Sequence, residues 1–173
     1  CLVGSEMCIR DRDGATAEPD SLCQLETDTN LTGNLCPWAG EMVGTTAFCA
    51  RRQIPSHRVV IAQIDTGFML DHPALQGRLV SDGIDLSGDG RANAAYDTRQ
   101  RGATYWHATA VASVLAGNTD ENVKILPYKV VRFGTDTCAA SAVLAAMEDA
   151  VAKGARVLNM SLSTSQNRAG FAA

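Results

Sequence analysis

The sequence predicts an α/β protein with a doubly wound, mostly parallel sheet, and three observations support this fold class. Residues 59–64 form an apolar run, rich in β-branched side chains and without alternation, which is typical of a strand buried on both faces. Residues 123–131 and 156–162 indicate two further core strands. Between these two, residues 137–153 have the periodicity of an amphipathic helix. Because buried strands alternate with helices, we expect parallel crossovers with helices packed on the sheet.

Some local features are also predicted. The helix at 137–153 should bury one face, formed by Ala140, Leu144, Met147 and Val151. Asp136 or Thr137 can cap its start, and Gly154 should end it. Asp149 and Lys153 can form an i,i+4 ion pair. Residues 78–85 indicate a short strand. Pro127 has no backbone N–H to donate within its predicted strand, which favours an edge-like register or a bulge there.

A carboxylate stands at the end of the first predicted strand. Asp65 follows Ile64 and precedes a turn at Thr66 and Gly67. Open α/β sheets build their sites at the carboxyl ends of strands, although an isolated Asp in this position often only caps the turn. Asp65 is therefore a candidate site residue.

An imidazole opens the second informative segment. Residues 107–117 begin with His107, continue through small and aliphatic side chains and end in Gly117, which is typical of a helix packed on all sides. At a helix N-terminus the dipole favours the neutral imidazole, which can act as a base. We expect Asp65 and His107 to be adjacent in the fold.

Four motifs, in this order, resemble those of the subtilisin-like serine proteases, the subtilase or peptidase S8 family. Residues 64–67 (Ile-Asp-Thr-Gly) are similar to the family's aspartate motif, and residues 71–75 (Asp-His-Pro-Ala-Leu) to the turn that follows it. Residues 107–112 resemble the start of the family's histidine helix, and residues 157–162 the strand that lines its substrate cleft. The resemblance covers about residues 58–165.

This resemblance implies a serine endopeptidase that hydrolyses peptide bonds with an Asp-His-Ser triad. Asp65 would orient the imidazole, and His107 would act as the general base. The substrate-binding residues would be Ser161, Leu162 and Ser163, which offer backbone groups to an extended chain by strand addition. The expected partners are therefore peptide or protein substrates.

Two positions depart from the family's pattern. Ala108 stands where the family usually has Gly and adds a methyl group beside the imidazole. Ser163 stands where the cleft strand usually has Gly, which would hinder the approach of a substrate backbone. These departures leave open a catalytically inactive binding domain on the same fold. A phosphatase-like fold with a nucleophilic Asp65 is disfavoured, because Gly67 stands where its second acid would be and His107 would have no role.

The family's oxyanion-hole Asn and nucleophilic Ser lie downstream of the cleft strand. Since the sequence ends at Ala173, we expect an N-terminal fragment of the catalytic domain, truncated before the C-terminal part of the fold and inactive by itself. Ser113, on the helix behind His107, is a poor nucleophile candidate, and so are Ser161 and Ser163 in the cleft strand. The activity would belong to the full-length parent.

Three segments are predicted along the chain. Residues 1–12 show no periodicity and resemble translated adapter sequence, so we expect an artefact or a disordered end. Residues 13–57 are rich in Gly, Thr, Asp, Asn and Pro and indicate a loop-rich extension that contains cysteines. Residues 58–173 would form the partial catalytic domain.

The cysteines indicate a redox environment rather than a metal. None is spaced as in CxxC and none has a nearby His, so a zinc site is not expected among Cys1, Cys8, Cys23, Cys36, Cys49 and Cys138. Disulfides in a secreted, periplasmic or extracellular protein are favoured over reduced thiols, with the connectivity open.

Composition and charge exclude several other classes. A net charge of −4 gives no reason to expect nucleic acid, and no apolar run approaches the ~20 residues that span a membrane. No cofactor is expected. Residues 85–90 are similar to the start of a calcium loop, but Tyr96 stands where an EF-hand needs Glu, so a plain turn is favoured and calcium remains possible only in the parent, with ligands unassigned. The oligomeric state stays open.

Overall fold

The computed structural model describes residues 57–96 and 106–163, residues 42 and 44, and the backbone of three short strands near the N-terminus. These strands are β1 (Cys8–Ile9), β2 (Glu18–Pro19) and β3 (Leu22–Leu25). The predictions for residues 1–12, for the loop-rich extension and for the C-terminal end of the chain otherwise lie outside the described residues.

The remaining elements follow the predicted alternation of strands and helices. In chain order they are β4 (Val59–Asp65), a 3₁₀ helix (Pro73–Leu75), β5 (Ile84–Asp85), α1 (His107–Gly117), β6 (Val123–Lys129), β7 (Thr137–Ala139), α2 (Ala140–Ala152), β8 (Val157–Met160) and β9 (Leu162–Ser163). None of these helices has the length and apolar character needed to cross a membrane.

The central sheet has four parallel strands in the order β5-β6-β4-β8. From β4 the chain crosses through α1 to β6 on one side, then returns through α2 to β8 on the other side of β4. The two connections therefore run in opposite directions from β4 across the sheet. In open α/β sheets, ligands bind at the carboxyl end of the strands where this reversal occurs, and β4 ends in Asp65.

The two faces of the sheet are covered by different helices. Even-numbered residues of β4 and β6, such as Ile64 and Tyr128, pack with α2 in one core cluster. Ile125 of β6 packs in a second cluster with Ala108 and Ala112 of α1. Because side chains alternate along a strand, the odd-numbered residues of β4, including Asp65, face α1. The α/β, doubly wound fold class is confirmed.

A second sheet forms at the carboxyl side of the central one. Its order is β7-β3-β9, and β3 is antiparallel to both of its neighbours. The sequence predicted only loops around Leu22–Leu25, so this strand was missed. The strand has only four residues and its partners lie more than 100 residues away, which local periodicity does not detect.

Several boundary predictions were wrong. The helix predicted from Thr137 begins at Ala140, because Thr137–Ala139 pairs with β3 as a strand. Its N-cap is Ala139, which makes no side-chain capping bond, so neither Asp136 nor Thr137 caps it. The expected ion pair is present, with Asp149 and Lys153 2.6 Å apart. Gly154 follows the end of the helix, as expected, in a left-handed conformation with φ +81°.

The buried face of α2 also differs from the predicted one. The buried side chains are Ala140, Ala142, Val143, Ala146 and Ala150, whereas Val151 is 63% exposed. Four alanines and Val143 are buried, whereas the larger Leu144 and Met147 are only partly buried. The helix packs on its small-residue side, which a search for large apolar side chains overlooks.

Two predicted strands are shorter or more exposed than expected. Of residues 78–85 only β5 is a strand, with an isolated bridge between Leu79 and Ile125. The predicted core strand at 156–162 is divided into β8 and β9, and β8 is partly exposed. At Pro127 the ladder with β4 continues without a bulge, although β6 is an interior strand of the sheet. The pairing of β6 with β5 on its other side begins only at Tyr128.

Candidate active site

Asp65 and His107 meet at the carboxyl end of β4. The Nδ1 atom of His107 lies 2.7 Å from Oδ1 of Asp65, and both side chains are buried. His107 is the first residue of α1 and Asp65 is the last residue of β4. The predicted adjacency of these two residues is therefore observed.

The contact determines which imidazole nitrogen carries hydrogen. An ionised carboxylate only accepts hydrogen bonds, so Nδ1 of His107 must donate to Asp65. In the neutral ring the basic lone pair is then on Nε2. An imidazole in this tautomer, oriented by a buried carboxylate, can accept a proton from a hydroxyl group and return it later.

The carboxylate of Asp65 is held by two further donors. The backbone N–H of Thr66 donates to Oδ1 at 2.6 Å, and Nε2 of Gln63 lies 3.3 Å from Oδ2. The same amide group of Gln63 donates to the carbonyl of Ala108 at 2.9 Å. Gln63 thus joins the strand carboxylate to the first turn of α1, and its own Oε1 is buried without a hydrogen-bond partner among the residues that the structure describes.

The start of α1 is fixed by hydrogen bonds between the helix and the loop after β4. Trp106, the N-cap, makes no side-chain capping bond. Instead, Oγ1 of Thr66 accepts from the backbone N–H of Ala108 at 3.0 Å, which satisfies one of the unpaired donors of a helix start. Oγ1 of Thr109 in turn accepts from the backbone N–H of Met69 at 2.9 Å. The loop after Asp65 and the histidine helix are therefore locked together.

Gly67 allows the turn after Asp65 to approach a neighbouring segment. A Cβ atom at this position would lie 2.3 Å from the Cα of Tyr96, closer than any side chain tolerates. Two backbone hydrogen bonds join Phe68 to the segment that contains Tyr96. The N–H of Phe68 donates to the carbonyl of Ala94, and the N–H of Tyr96 donates to the carbonyl of Phe68, each at 2.9 Å. This packing holds the turn, and with it Asp65, in one position.

Sequence reasoning missed the roles of Gln63 and Thr66. Gln63 is the only strongly polar side chain before Asp65 in β4, and it is fully buried. A buried amide in an apolar strand normally has a hydrogen-bonding role, so this signal was available. Thr66 could be recognised only after the helix start was known to lie above it.

The residues predicted to bind substrate lie at the same edge of the sheet. Met160 pairs with Ile64 in the parallel ladder, so Ser161 leaves the sheet beside Asp65. Leu162 and Ser163 then form β9, which pairs with β3. The backbone of this segment does bind an extended strand in the structure, and that strand comes from the chain itself.

The three serines considered as nucleophiles occupy different settings. Ser113 is buried in α1, where its hydroxyl donates to the carbonyl of Thr109 at 2.7 Å. Ser161 lies between β8 and β9 and is partly buried, and Ser163 is exposed at the end of β9. Ser113 is thus committed to its own helix.

A buried lysine lies at the next strand end. Lys129 is in register with Asp65 across the ladder and is completely buried. Its Nζ atom lies 2.6 Å from Oγ of Ser87 and 2.6 Å from Oδ2 of Asp89, with Oδ1 of Asp85 at 3.6 Å. Residues 85–90, which are similar to the start of a calcium loop, are therefore organised around an ammonium group.

The electrostatics of this cluster follow from its partners. Burial alone would raise the pKa of Asp89, but the hydrogen bonds from Lys129 and from the backbone N–H of Phe133 lower it below its usual value. The carboxylate of Asp85 accepts from the backbone N–H groups of Ser87 and Arg91 at 2.9 and 3.1 Å. Within the described residues, no group of three or more His, Cys, Asp or Glu side chains is arranged to hold a metal ion.

The fold and the site together define an α/β protein with a strand-end carboxylate oriented toward a helix-start imidazole. The family model of the subtilases matches residues 56–172, about two thirds of the chain. The chain therefore belongs to the subtilase family, which is a family of serine proteases. A search of curated proteins gave no match.

Proposed function

We propose that this chain contributes Asp65 and His107 to the catalytic triad of a secreted serine endopeptidase. The observation that carries the proposal is the 2.7 Å contact between Nδ1 of His107 and Oδ1 of Asp65 at the carboxyl end of β4. Both side chains are buried, and two hydrogen bonds join the loop after β4 to the first turn of α1, from Ala108 N–H to Thr66 Oγ1 and from Met69 N–H to Thr109 Oγ1.

In this mechanism His107 takes the proton of a serine hydroxyl as that oxygen attacks the peptide carbonyl. Asp65 keeps the imidazole in the tautomer with hydrogen on Nδ1 and stabilises the imidazolium that forms. His107 then returns the proton to the leaving amine. The preorganised contacts of Gln63 and Thr66 to Asp65 reduce the motion that would otherwise be needed during the reaction.

The nucleophile and the oxyanion hole would come from a downstream part of a longer protein. The hydroxyl of Ser113 is committed to the carbonyl of Thr109, and Ser161 and Ser163 belong to the strand segment that would bind substrate. The 173 residues alone should therefore be inactive, because loss of the nucleophile costs on the order of 10⁶ in rate in subtilisin, a member of this family.

The proposed substrate is an extended polypeptide that adds as a strand to β9. The pairing of β9 with β3 supports this, because it shows that Leu162 and Ser163 accept an antiparallel backbone partner. A catalytically inactive peptide-binding domain would use the same pairing. The two functions therefore differ in whether a serine becomes reactive.

A serine-directed fluorophosphonate probe on the full-length protein separates these possibilities. The wild type should be labelled, whereas His107→Ala should lose labelling and peptide turnover together. His72→Ala is a matched control, since His72 is the N-cap of the 3₁₀ helix and its Nδ1 accepts from the N–H of Ala74 at 3.2 Å. Absence of labelling in a folded, full-length wild type would favour the inactive binding domain.

A further inference from the structure

The strand β3 fills a groove between two edges of the cleft. We define the cleft groove as the space between the backbones of β7 and β9. In the structure β3 pairs with β7 through Leu22, Cys23 and Gln24, and with β9 through Gln24 and Leu25. A segment far upstream of β4 thus occupies the position that an extended peptide would take.

The register of this pairing places two cysteines opposite one another. Cys23 of β3 is the direct antiparallel partner of Cys138 of β7. The other cysteine with a described backbone, Cys8, is opposite Pro19 instead. Among the cysteines that the described strands contain, only Cys23 and Cys138 therefore face each other.

An antiparallel partnership of this kind satisfies the distance requirement of a disulfide. Directly opposite residues have Cα atoms about 4.5 or 5.5 Å apart, and disulfides span Cα separations of about 4.4–6.8 Å. Opposite residues also direct their side chains to the same face of the sheet. Cys138 is 3% exposed and belongs to the main core cluster, so a bond made there would be shielded from solvent.

We propose that Cys23 and Cys138 form a disulfide that fastens β3 in the cleft groove. Each thiol loses one proton and one electron as the S–S bond forms. A small-molecule disulfide such as oxidised glutathione receives the two electrons and two protons and is reduced to two thiols. The bond connects the N-terminal extension to the middle residue of β7, two positions before α2, and so to the core of the subtilase domain.

The bond has a consequence for the cleft, and this part rests on the proposed function. A strand tethered next to β7 and β9 competes with any peptide that binds there, because the tether gives it a high effective concentration. The oxidised form should therefore exclude peptides from the cleft groove, and reduction should admit them. The cysteine pair would make access to the cleft depend on redox conditions.

A peptide map of the full chain tests the bond directly. After alkylation of free thiols, digestion with trypsin and a glutamate-specific protease places each of the six cysteines in its own peptide. The oxidised wild type should give a linked pair of peptides 13–26 and 133–148 that separates on reduction. Cys23→Ser should abolish this pair, and Cys36→Ser, the matched control, should retain it.

Other linkages would overturn the proposal. Peptides that join Cys23 or Cys138 to a different cysteine contradict it, and so does alkylation of both thiols in protein refolded with oxidised glutathione. Because the map of the wild type is decisive by itself, the test does not depend on whether the Cys23→Ser variant folds.

A binding measurement tests the effect on the cleft groove. The probe is a fluorescent peptide with the sequence of residues 20–27 carrying Cys23→Ser, followed by anisotropy. Oxidised wild type should bind it at least about tenfold more weakly than reduced wild type or the Cys23→Ser variant. Equal binding before and after reduction contradicts the tether. Neither readout requires turnover, so a failure of the proposed protease function would be seen separately, in the fluorophosphonate assay.

Discussion

The Nδ1 atom of His107 lies 2.7 Å from Oδ1 of Asp65, although 42 residues separate them in the chain. One is the first residue of a helix and the other the last residue of a strand. A turn that includes Gly67 and a helix start that is capped by Thr66 hold the two side chains together. The geometry follows from backbone elements, and the side chains have little freedom to move apart.

Replacing Asp65 by Asn tests whether Asp65 orients the imidazole of His107 in the tautomer needed for turnover. The amide is nearly isosteric, but its NH₂ group can donate to Nδ1 of His107 and so favours the wrong tautomer. In the full-length protein we expect peptide turnover to fall by roughly 10⁴-fold with little change in KM. Steady-state kinetics measure this effect, and Asp71→Asn, at an exposed site in the following loop, should leave turnover unchanged. A loss of less than tenfold for Asp65→Asn would contradict the assigned role.

Gln63 should act as a positioning residue. Gln63→Met keeps the volume but removes the donor to Asp65 and to the carbonyl of Ala108, together with the unpaired Oε1. Since a lost hydrogen bond and a removed unsatisfied acceptor offset each other, the free energy of unfolding should change by less than about 1 kcal/mol. Turnover in the full-length protein should nevertheless fall, with kcat affected more than KM.

The exposed Gln76 provides the comparison. Within the described part of the chain its amide donates to the backbone carbonyl of Asp71 at 3.3 Å and to no other group, so Gln76→Met should alter neither kcat nor its pH profile. If Gln63→Met also left kcat and the pH profile unchanged, Gln63 would have only a structural role.

Ala108 tests the departure from the family's usual glycine. Ala108 is fully buried in the first turn of α1, next to His107. Ala108→Gly should lower the free energy of unfolding by up to about 1 kcal/mol, because glycine is a poorer helix former. If the methyl group crowds the imidazole, turnover should be unchanged or mildly increased. Ala110→Gly, in the same helix, should lower the free energy of unfolding by a similar amount without any gain in turnover. Denaturant unfolding and steady-state kinetics of both variants distinguish the effect on stability from the effect on turnover.

The elements that the sequence predicted well are those determined by local patterns. The run from Val59 to Ile64 appears at the predicted place, because burial on both faces of the strand leaves a continuous apolar signal. The helix from His107 to Gly117 has the predicted bounds, but the prediction that it is packed on all sides was wrong, since Val114 is 47% exposed. The boundary at Ala139 was misplaced for the opposite reason. Residues 137–139 have helical periodicity, and only their long-range pairing with β3 makes them a strand.

The site could be predicted in part for the same reason. Asp65 and His107 have the right residue types at a strand end and a helix start, so their adjacency followed from the fold. The donors that support them did not, because Gln63 and Thr66 act through contacts with Ala108 that exist only in the folded protein. Likewise, the exposed surface of β8 depends on what lies beside it in the sheet, which the residues of β8 do not encode.

The exposed edge of the central sheet should make the isolated chain prone to association. Within the described residues β8 is the last strand of its sheet, with Val157 46% and Met160 38% exposed. Apolar edge strands promote pairing between molecules. We expect the 173-residue chain to form oligomers or aggregates, and Val157→Lys to increase the monomer fraction in size-exclusion chromatography with light scattering. Val80→Lys, at an exposed valine outside the strands, should have little effect, and a monodisperse wild-type monomer would contradict this expectation.

Asp89 should stabilise the fold in a pH-dependent manner through Lys129. Its pKa in the folded state lies below the usual value of about 3.9. The carboxylate therefore contributes stability that is fully present above about pH 4 and is lost as the pH falls through the folded-state pKa. Removing the carboxylate leaves the buried ammonium of Lys129 poorly compensated, so Asp89→Ala should lower the free energy of unfolding by roughly 3 kcal/mol at neutral pH.

The partner substitution gives the matched comparison. Lys129→Met removes the buried charge itself, while Asp85 keeps its backbone donors from Ser87 and Arg91 and Asp89 keeps the N–H of Phe133. Its cost should be less than about 2 kcal/mol, smaller than that of Asp89→Ala, because an unpaired buried cation is worse than an apolar side chain in its place. Denaturant unfolding of both variants between pH 3 and 7 measures this difference. Over the acid range, the free energy of unfolding of each variant should depend less on pH than that of the wild type. An Asp89→Ala cost below that of Lys129→Met would show that Asp85 or solvent, rather than Asp89, compensates the ammonium group.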